Sequence, residues 1–271
     1  MSTFERITES PSLHDHLEQK EIGELLRGIN SEDQKVANAV AQTIPTLEQF
    51  ITEIVPRMER GGRIFYIGAG TSGRMGVLDA SEIPPTFGMP PTLFIGLIAG
   101  GDHALRHPVE NAEDSENQAW EDLTPHHINK NDTLIGIAAS GTTPYVIEGL
   151  RKAKSEGILT ACITSNPGSP ITEVVDYPIV TVVGPEFVTG SSRMKSGTAQ
   201  KMVLNMISTT LMIKMGRVEG NKMVNMQLSN KKLVDRGTRM LMEYYDWDYD
   251  YSQKRLLEEG SVRAVLDKYP N

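Results

Sequence analysis

The chain contains 271 residues, of which 39% are hydrophobic and 23% charged, a composition typical of a globular protein with a full hydrophobic core. The formal net charge is -8, and no cluster of lysine and arginine forms the basic face that nucleic-acid binding requires. No apolar stretch reaches the roughly 18 residues of a membrane span, and the first residues lack the apolar core of a signal peptide. We therefore expect a cytoplasmic protein with no nucleic-acid and no membrane partner.

The N-terminal part of the chain, residues 9 to 60, is predicted to be helical. Apolar residues recur at the helical spacing after Ser31, which is a candidate N-cap, and Gly61 and Gly62 end the pattern. Further helices are predicted at 144–156, about 194–215 and about 230–245.

Short apolar runs alternate with helical segments in the middle of the chain, which predicts a parallel sheet covered by helices on both faces and therefore an α/β fold. No repeat or linker divides the sequence, so we predict a single domain over residues 1–271 with helical extensions at about 1–60 and about 217–271. The predicted strands are 63–67, 92–97, 133–138, 159–164 and 179–183.

A loop rich in glycine and hydroxyl groups follows the first predicted strand. The glycines of residues 68–73 match the G-x-G-x-x-G pattern of dinucleotide sites, but the only nearby candidate for the acidic ribose ligand is Asp102, in a predicted loop. Thr71 and Ser72 add hydroxyl groups that suit a phosphate monoester better than a pyrophosphate. The alternative to a phosphate-binding loop is a tight turn in which the glycines serve only the backbone conformation.

Two further polar segments share this character, one at residues 138–144 after the third predicted strand and one at 189–201 before a long apolar helix. The carboxyl ends of parallel strands lie along one edge of a sheet, so such loops can converge on a single ligand. Three segments of this kind on one α/β chain favour a sugar phosphate.

Carboxylates near these loops are candidates for acid–base chemistry. Glu82 precedes Pro84 and Pro85, which stiffen the backbone, and Glu113 lies in a second acidic stretch at 109–114. Two glutamates beside a bound sugar phosphate can divide acid and base roles when their environments differ.

Metal chemistry and disulfide bonding are not predicted. The six histidines lack metal-ligand spacing, and His103 and His107, four residues apart, have no apparent third ligand. The single cysteine, Cys162, lies in an apolar run and is interpreted as a small buried hydrophobic residue.

Two long motifs resemble a known family. Residues 68–88 resemble the central signature of the N-acetylmuramic acid 6-phosphate etherases, and residues 184–205 resemble a second signature that these enzymes share with the glucokinase regulatory proteins. The resemblance extends from about residue 7 to 240. It implies the sugar isomerase (SIS) fold, a three-layer α/β/α sandwich with a five-stranded parallel sheet, and a homodimer.

The resemblance also implies a reaction, in which N-acetylmuramic acid 6-phosphate and water give N-acetylglucosamine 6-phosphate and D-lactate by elimination and hydration, in amino-sugar metabolism and peptidoglycan recycling. By position, Glu82 matches the family's proton donor to the leaving lactate, and Glu113 matches its second catalytic glutamate, the expected base at C2 and for the incoming water. No metal or redox cofactor is implied. The residues implied to bind the phosphate are Gly70, Thr71, Ser72, Ser140, Gly141, Thr142 and Thr143.

Other functions remain open at this point. A non-catalytic sugar-phosphate regulator of the glucokinase regulatory type shares the second signature, but those proteins typically have two SIS units and this chain has room for one. An SIS aldose–ketose isomerase would not explain the match near Glu82, and a dinucleotide oxidoreductase is the least favoured alternative.

Overall fold

The computed structural model describes residues 4–270. Two helices precede the sheet, α1 (Ile22–Ala41) and α2 (Ile44–Glu59). The predicted N-cap at Ser31 is wrong: α1 begins earlier because Glu21 and Glu24 form a capping box, and Ser31 lies inside the helix. Residues 9–21 are also not α-helical, since this stretch holds short 3-10 turns in an otherwise extended segment.

A five-stranded parallel sheet with the order β2-β1-β3-β4-β5 forms the centre of the protein. The last strand begins earlier than predicted, because the carboxylate of Asp176 accepts hydrogen bonds from the backbone nitrogen and the hydroxyl of Thr160 and fixes its start. Pro178 is tolerated in this strand because the strand lies at the edge of the sheet. The strands are β1 (Ile64–Gly68), β2 (Phe94–Ile98), β3 (Thr133–Ile137), β4 (Leu159–Thr164) and β5 (Tyr177–Val180).

Helices cover both faces of the sheet. In β1, Ile64 and Tyr66 face one hydrophobic cluster, whereas Phe65 and Ile67 face the other. The first cluster is formed with α1, α2, α3 (Gly70–Phe87) and α7 (Lys195–Lys214), and the second with α4 (Gln118–Leu123), α5 (Pro144–Ser155) and α6 (Pro170–Glu173). The predicted α/β/α sandwich is thus confirmed.

Cys162 is completely buried in β4, as its apolar neighbours predict. Burial raises the pKa of its thiol to about 12. At neutral pH the side chain therefore behaves as a small hydrophobic group.

The C-terminal helices α8 (Lys231–Tyr245), α9 (Tyr249–Glu259) and α10 (Val262–Lys268), with the segment 223–228 that precedes them, form a C-terminal unit around a hydrophobic cluster of its own. This C-terminal unit contacts the sandwich at the end of α3, where the backbone nitrogen of Gln227 donates to the carbonyl of Pro85 at 3.2 Å. Within residues 4–270, none of the helices combines the length and the apolar character needed to cross a membrane.

Candidate functional site

The loops that follow β1 and β3 border a cavity of about 200 Å³ at the carboxyl edge of the sheet. They lie side by side because β1 and β3 are paired in register up to Gly68 and Ile137, the last residues of the two strands. We call it the hydroxyl cavity, because the polar groups lining it are mostly hydroxyls: Thr71, Ser72, Ser140, Thr143 and Ser192, together with Glu113.

The loop after β1 brings the beginning of α3 to the hydroxyl cavity. The first N–H groups of an α-helix have no partner within the helix, and here they belong to Gly70, Thr71 and Ser72, all of which line the cavity. The hydroxyl of Ser72 donates to Gln200 Oε1 of α7 at 3.0 Å. Ser72 therefore offers its backbone amide to an anion while its side chain holds α3 against α7.

The loop after β3 presents Ser140 and Thr143 to the same cavity. Thr142 donates to Ser140 Oγ from its own hydroxyl at 3.0 Å and from its backbone nitrogen at 3.3 Å. With both bonds accepted by its oxygen, Ser140 keeps its hydrogen for an anionic ligand. Gly141 has φ +70°, and a Cβ atom there would lie 2.1 Å from Ser169 Oγ, so this position requires glycine for the shape of the loop.

The N-terminal segment stabilises this loop from outside. Asn166 donates from Nδ2 to the carbonyl of Ser140 and to the hydroxyl of Thr8, both at 3.0 Å, and accepts from the backbone nitrogen of Thr8 at 3.1 Å. Thr8 and Asn166 are both buried. The extended segment before α1 is therefore part of the support of the site.

The third polar segment contributes Ser192, which the residue-by-residue prediction did not include although the segment itself is rich in hydroxyl groups. At the start of α7, in the same segment, the backbone nitrogens of Lys195 and Ser196 donate to the buried carboxylate of Glu186 at 2.8 Å and 2.9 Å. This cap fixes the start of α7 and thereby the position of Ser192.

A buried ion pair holds the start of α7 against α1. Lys195 Nζ lies 2.6 Å from Glu32 Oε2, and the two side chains are 1% and 4% exposed. Burial alone raises the pKa of Glu32, but hydrogen bonds with Lys195, Lys35 and His14 outweigh it and lower the pKa to about 2. Glu32 is therefore a carboxylate throughout the neutral range.

Glu113 lies on a short 3-10 helix (Ala112–Asp114) and is exposed at the mouth of the hydroxyl cavity. It also lines a neighbouring cavity of about 210 Å³, the alanine cavity, whose other lining residues are Ala69, Gly70, Arg74, Ala99, Ala104, Pro108, Val109, Glu110, Asn111 and Ala112. Ala69, Gly70 and Glu113 line both cavities and thus lie where the two meet.

Glu82 is placed elsewhere. It lies on the exposed face of α3, twelve residues after Gly70, and at about 1.5 Å per residue this separates it from the cavity by roughly 18 Å along the helix axis. It lines neither cavity. One turn before it, Leu78 is an apolar side chain with 43% of its surface exposed. A single chain therefore brings Glu113, but not Glu82, to the predicted phosphate-binding residues.

The predicted phosphate-binding residues fall into two groups. Gly70, Thr71, Ser72, Ser140 and Thr143 line the hydroxyl cavity, whereas Gly141 and Thr142 shape the loop that carries Ser140. Among residues 4–270, no three histidine, cysteine, aspartate or glutamate side chains are grouped so that they could hold a metal ion.

Comparison with known families gives two matches. Residues 46–154 match the N-terminal SIS domain of the glucokinase regulatory protein, and residues 112–209 match the SIS domain. Together these regions include the strands and loops that form the two cavities.

Curated relatives are similar to the chain over nearly its whole length. The N-acetylmuramic acid 6-phosphate etherase of Bacteroides thetaiotaomicron is 65% identical over 266 residues, which cover 98% of this chain and 96% of the relative. The enzyme of the same name from Porphyromonas gingivalis is 67% identical over 264 residues, covering 97% of this chain and 96% of the relative.

Solved structures share the fold at low sequence identity. A protein of E. coli CFT073, solved as a complex, has a TM-score of 0.53 and 20% identity, covering 74% of this chain and 97% of that one. A phosphoheptose isomerase from Francisella tularensis has a TM-score of 0.51 and 20% identity, covering 71% of this chain and 98% of that one. These likenesses confirm the SIS-type fold.

Proposed function

The chain belongs to the family of N-acetylmuramic acid 6-phosphate etherases, and we propose that it cleaves the lactyl ether of this sugar phosphate at the junction of the two cavities. The observation that carries the proposal is the position of Glu113, a carboxylate at the mouth of a cavity lined by hydroxyl groups and helix N-terminal amides. An acid–base group beside a phosphate-binding cavity is what an elimination on a sugar phosphate requires.

The phosphate is held in the hydroxyl cavity in this scheme. The amides at the start of α3 and the positive end of its dipole favour an anion, and the hydroxyls of Thr71, Ser140, Thr143 and Ser192 supply further donors. This arrangement binds phosphate without any lysine or arginine among the residues that line the cavity, in agreement with the acidic composition of the chain.

The reaction then uses proton transfers at C2 and C3 of the open-chain sugar. The aldehyde at C1 makes the hydrogen at C2 acidic, and Glu113 removes it. The C3–oxygen bond breaks, its electron pair leaves with the lactate oxygen, and Glu82 donates a proton to that oxygen while a C2–C3 double bond forms. Glu113 releases the proton from C2 to solvent, takes a proton from water as the water oxygen adds to C3, and passes that proton to C2, while Glu82 regains a proton from solvent. The products are N-acetylglucosamine 6-phosphate and D-lactate.

A homodimer is part of the proposal, because one chain does not bring its two glutamates together. The hexose phosphate is much shorter than the roughly 18 Å between the start of α3 and Glu82. We propose that Glu82 of the partner subunit completes the site that holds Glu113. The exposed Leu78, one turn from Glu82, supports a contact of α3 with another subunit.

The remaining predictions are consistent with this function and are proposed with it. The chain acts in the cytoplasm, in peptidoglycan recycling, as one SIS domain with helical extensions and without nucleic-acid or membrane partners. The relatives that match almost the whole chain are named as etherases. They therefore give no support to the alternative of a non-catalytic regulator of the glucokinase regulatory type.

The proposal is tested by incubating the purified protein with N-acetylmuramic acid 6-phosphate and measuring D-lactate. We expect Glu113→Gln to lower kcat by about 10²–10⁴-fold, because the amide cannot accept the proton from C2. Asp114→Asn, on the same exposed 3-10 helix but not lining either cavity, is the matched control and keeps its activity. Absence of lactate from the wild-type protein, or full activity of Glu113→Gln, would refute the proposal.

A further inference from the structure

The alanine cavity has a lining unlike that of the hydroxyl cavity beside it. Its walls are mostly small apolar side chains, contributed by Ala69, Ala99, Ala104, Val109 and Ala112. Its volume, about 210 Å³, is close to that of the hydroxyl cavity, and Glu113 lines both. A ligand that reaches Glu113 from the hydroxyl cavity therefore meets an apolar wall on the other side of the carboxylate.

The charges of the alanine cavity disfavour an anion. Glu110 and Glu113 contribute two carboxylates, and Arg74 is the single cation of the lining. The guanidinium of Arg74 already donates to the carbonyls of Ala104 at 2.7 Å and Leu105 at 2.9 Å. Arg74 therefore holds the wall of the cavity in place, and because its single positive charge faces two carboxylates, the lining keeps a net negative charge that disfavours an anionic group.

We propose that the alanine cavity binds the acetyl group of the substrate's 2-acetamido substituent. This inference rests on the proposed function, in which Glu113 removes the hydrogen from C2, so that the other substituent of C2 lies next to Glu113. The acetamido group is neutral and ends in a methyl group, which suits a wall of alanine and valine. The lactyl group at C3 carries a carboxylate and is disfavoured there by Glu110 and Glu113.

Val109 is the position that sets the size of the cavity. It is the bulkiest of the aliphatic side chains in the lining, and 39% of its surface is exposed. Its size can therefore be changed with little effect on the hydrophobic core. On its inner side it packs against Gly100, where a Cβ atom would lie 2.9 Å from Val109 Cβ.

The test compares kcat/KM for lactate release from N-formyl, N-acetyl and N-propionyl muramic acid 6-phosphate. We expect Val109→Ala to raise the ratio of N-propionyl to N-acetyl substrate by about tenfold, because it makes room for one more methylene group. We expect Val109→Phe to raise the ratio of N-formyl to N-acetyl substrate by a similar factor. Val182→Ala, at another half-exposed valine that lines neither cavity, leaves both ratios unchanged.

The outcomes separate this inference from the function on which it rests. Wild-type protein that releases no lactate from the N-acetyl substrate would overturn the proposed function and the acetyl-binding role together. Lactate release by the wild type, with acyl-group ratios that both Val109 variants leave unchanged, would overturn the acetyl-binding role alone. Thermal unfolding midpoints equal to that of the wild type confirm that the variants are folded.

Discussion

The carboxylate of Glu32 contacts three basic side chains near the site. Lys195 Nζ lies at 2.6 Å, Lys35 Nζ at 2.7 Å and His14 Nε2 at 3.1 Å from its oxygens, although the side chain is almost fully buried. A buried carboxylate is tolerated only when it is paired and hydrogen-bonded in this way. Because Lys195 begins α7, these interactions hold the segment that carries Ser192.

The low pKa of Glu32 makes its contribution to stability dependent on pH. The folded-state pKa, about 2, lies below the ordinary value of 4.5, so the stabilisation is complete above pH 4.5 and is lost as the pH falls through about 2. We expect Glu32→Gln to lower the free energy of unfolding by about 3 kcal/mol at pH 7, with the difference from wild type shrinking between pH 4.5 and 2. Denaturant-unfolding experiments on both proteins, from pH 7 down to about pH 2, measure this difference in the free energy of unfolding.

The control for this prediction is Glu53→Gln, an exposed carboxylate on α2. It should have little effect at any pH, because exposed carboxylates contribute little to stability. A deficit in Glu32→Gln that is the same at pH 7 and at about pH 2 would contradict the assignment, since it would arise from packing and not from charge.

Some residues of the site could be predicted from the sequence and others could not, depending on whether their role comes from a local motif or from a contact between distant parts of the chain. Thr71 and Ser140 were predictable because each lies in a loop after a buried strand, and parallel strands end at one edge. The pairing of Glu32 with Lys195 joins residues 163 positions apart, and no local pattern reveals it. Such contacts depend on how the helices pack, which periodicity alone does not specify.

At the scale of elements, α3 connects the hydroxyl cavity to the C-terminal unit. It begins at Gly70 and continues through Pro84 and Pro85 to Phe87. The two prolines cannot donate backbone hydrogen bonds, so the sequence did not predict that the helix extends through them. The helix ends at Gly88, whose backbone nitrogen donates to the carbonyl of Pro84 at 3.0 Å.

Gly88 is the position where this helix and the C-terminal unit meet. It has φ +66°, and a Cβ atom there would lie 2.1 Å from the carbonyl oxygen of Asn225. We expect Gly88→Ala to lower the free energy of unfolding by more than the roughly 1–2 kcal/mol of left-handed strain alone, because the Asn225 backbone must move as well. Faster amide hydrogen exchange in α8, α9 and α10 would report the weakened docking.

A matched glycine separates backbone strain from the clash. Gly157 has a similar φ of +75°, and a Cβ atom there would meet no other atom within 4 Å, so Gly157→Ala carries the strain alone. It should lower the free energy of unfolding by about 1–2 kcal/mol without changing hydrogen exchange in the C-terminal unit. Equal losses in the two variants, with unchanged exchange in both, would mean that Gly88 does not control the docking.

At the scale of the whole molecule, any catalytic mechanism has to explain how Glu82 and Glu113 act on one substrate although they lie far apart in a single chain. Glu82 and Gly70 lie on the same helix, α3, roughly 18 Å apart along its axis. A change of side-chain rotamer therefore cannot bring the Glu82 carboxylate to the cavity. In a two-fold symmetric dimer the same surface of each subunit contacts the other, so one contact through α3 would supply both sites at once. The wide separation is thus consistent with two shared sites.

A mixed dimer tests this arrangement. Glu82→Gln and Glu113→Gln chains, each inactive alone, are co-expressed with different affinity tags, and D-lactate release is measured for the isolated mixed dimer. If each site combines Glu113 of one chain with Glu82 of the other, one of the two sites in the mixed dimer has both glutamates, and about half of the wild-type activity returns. If both glutamates act within one chain, every site lacks one of them and the mixed dimer stays inactive.

Co-purified wild-type and Glu113→Gln chains are the control, because they retain one complete site under either arrangement. Activity near half in the control and none in the mixed dimer would therefore exclude the shared site and leave Glu82 without a catalytic role across subunits.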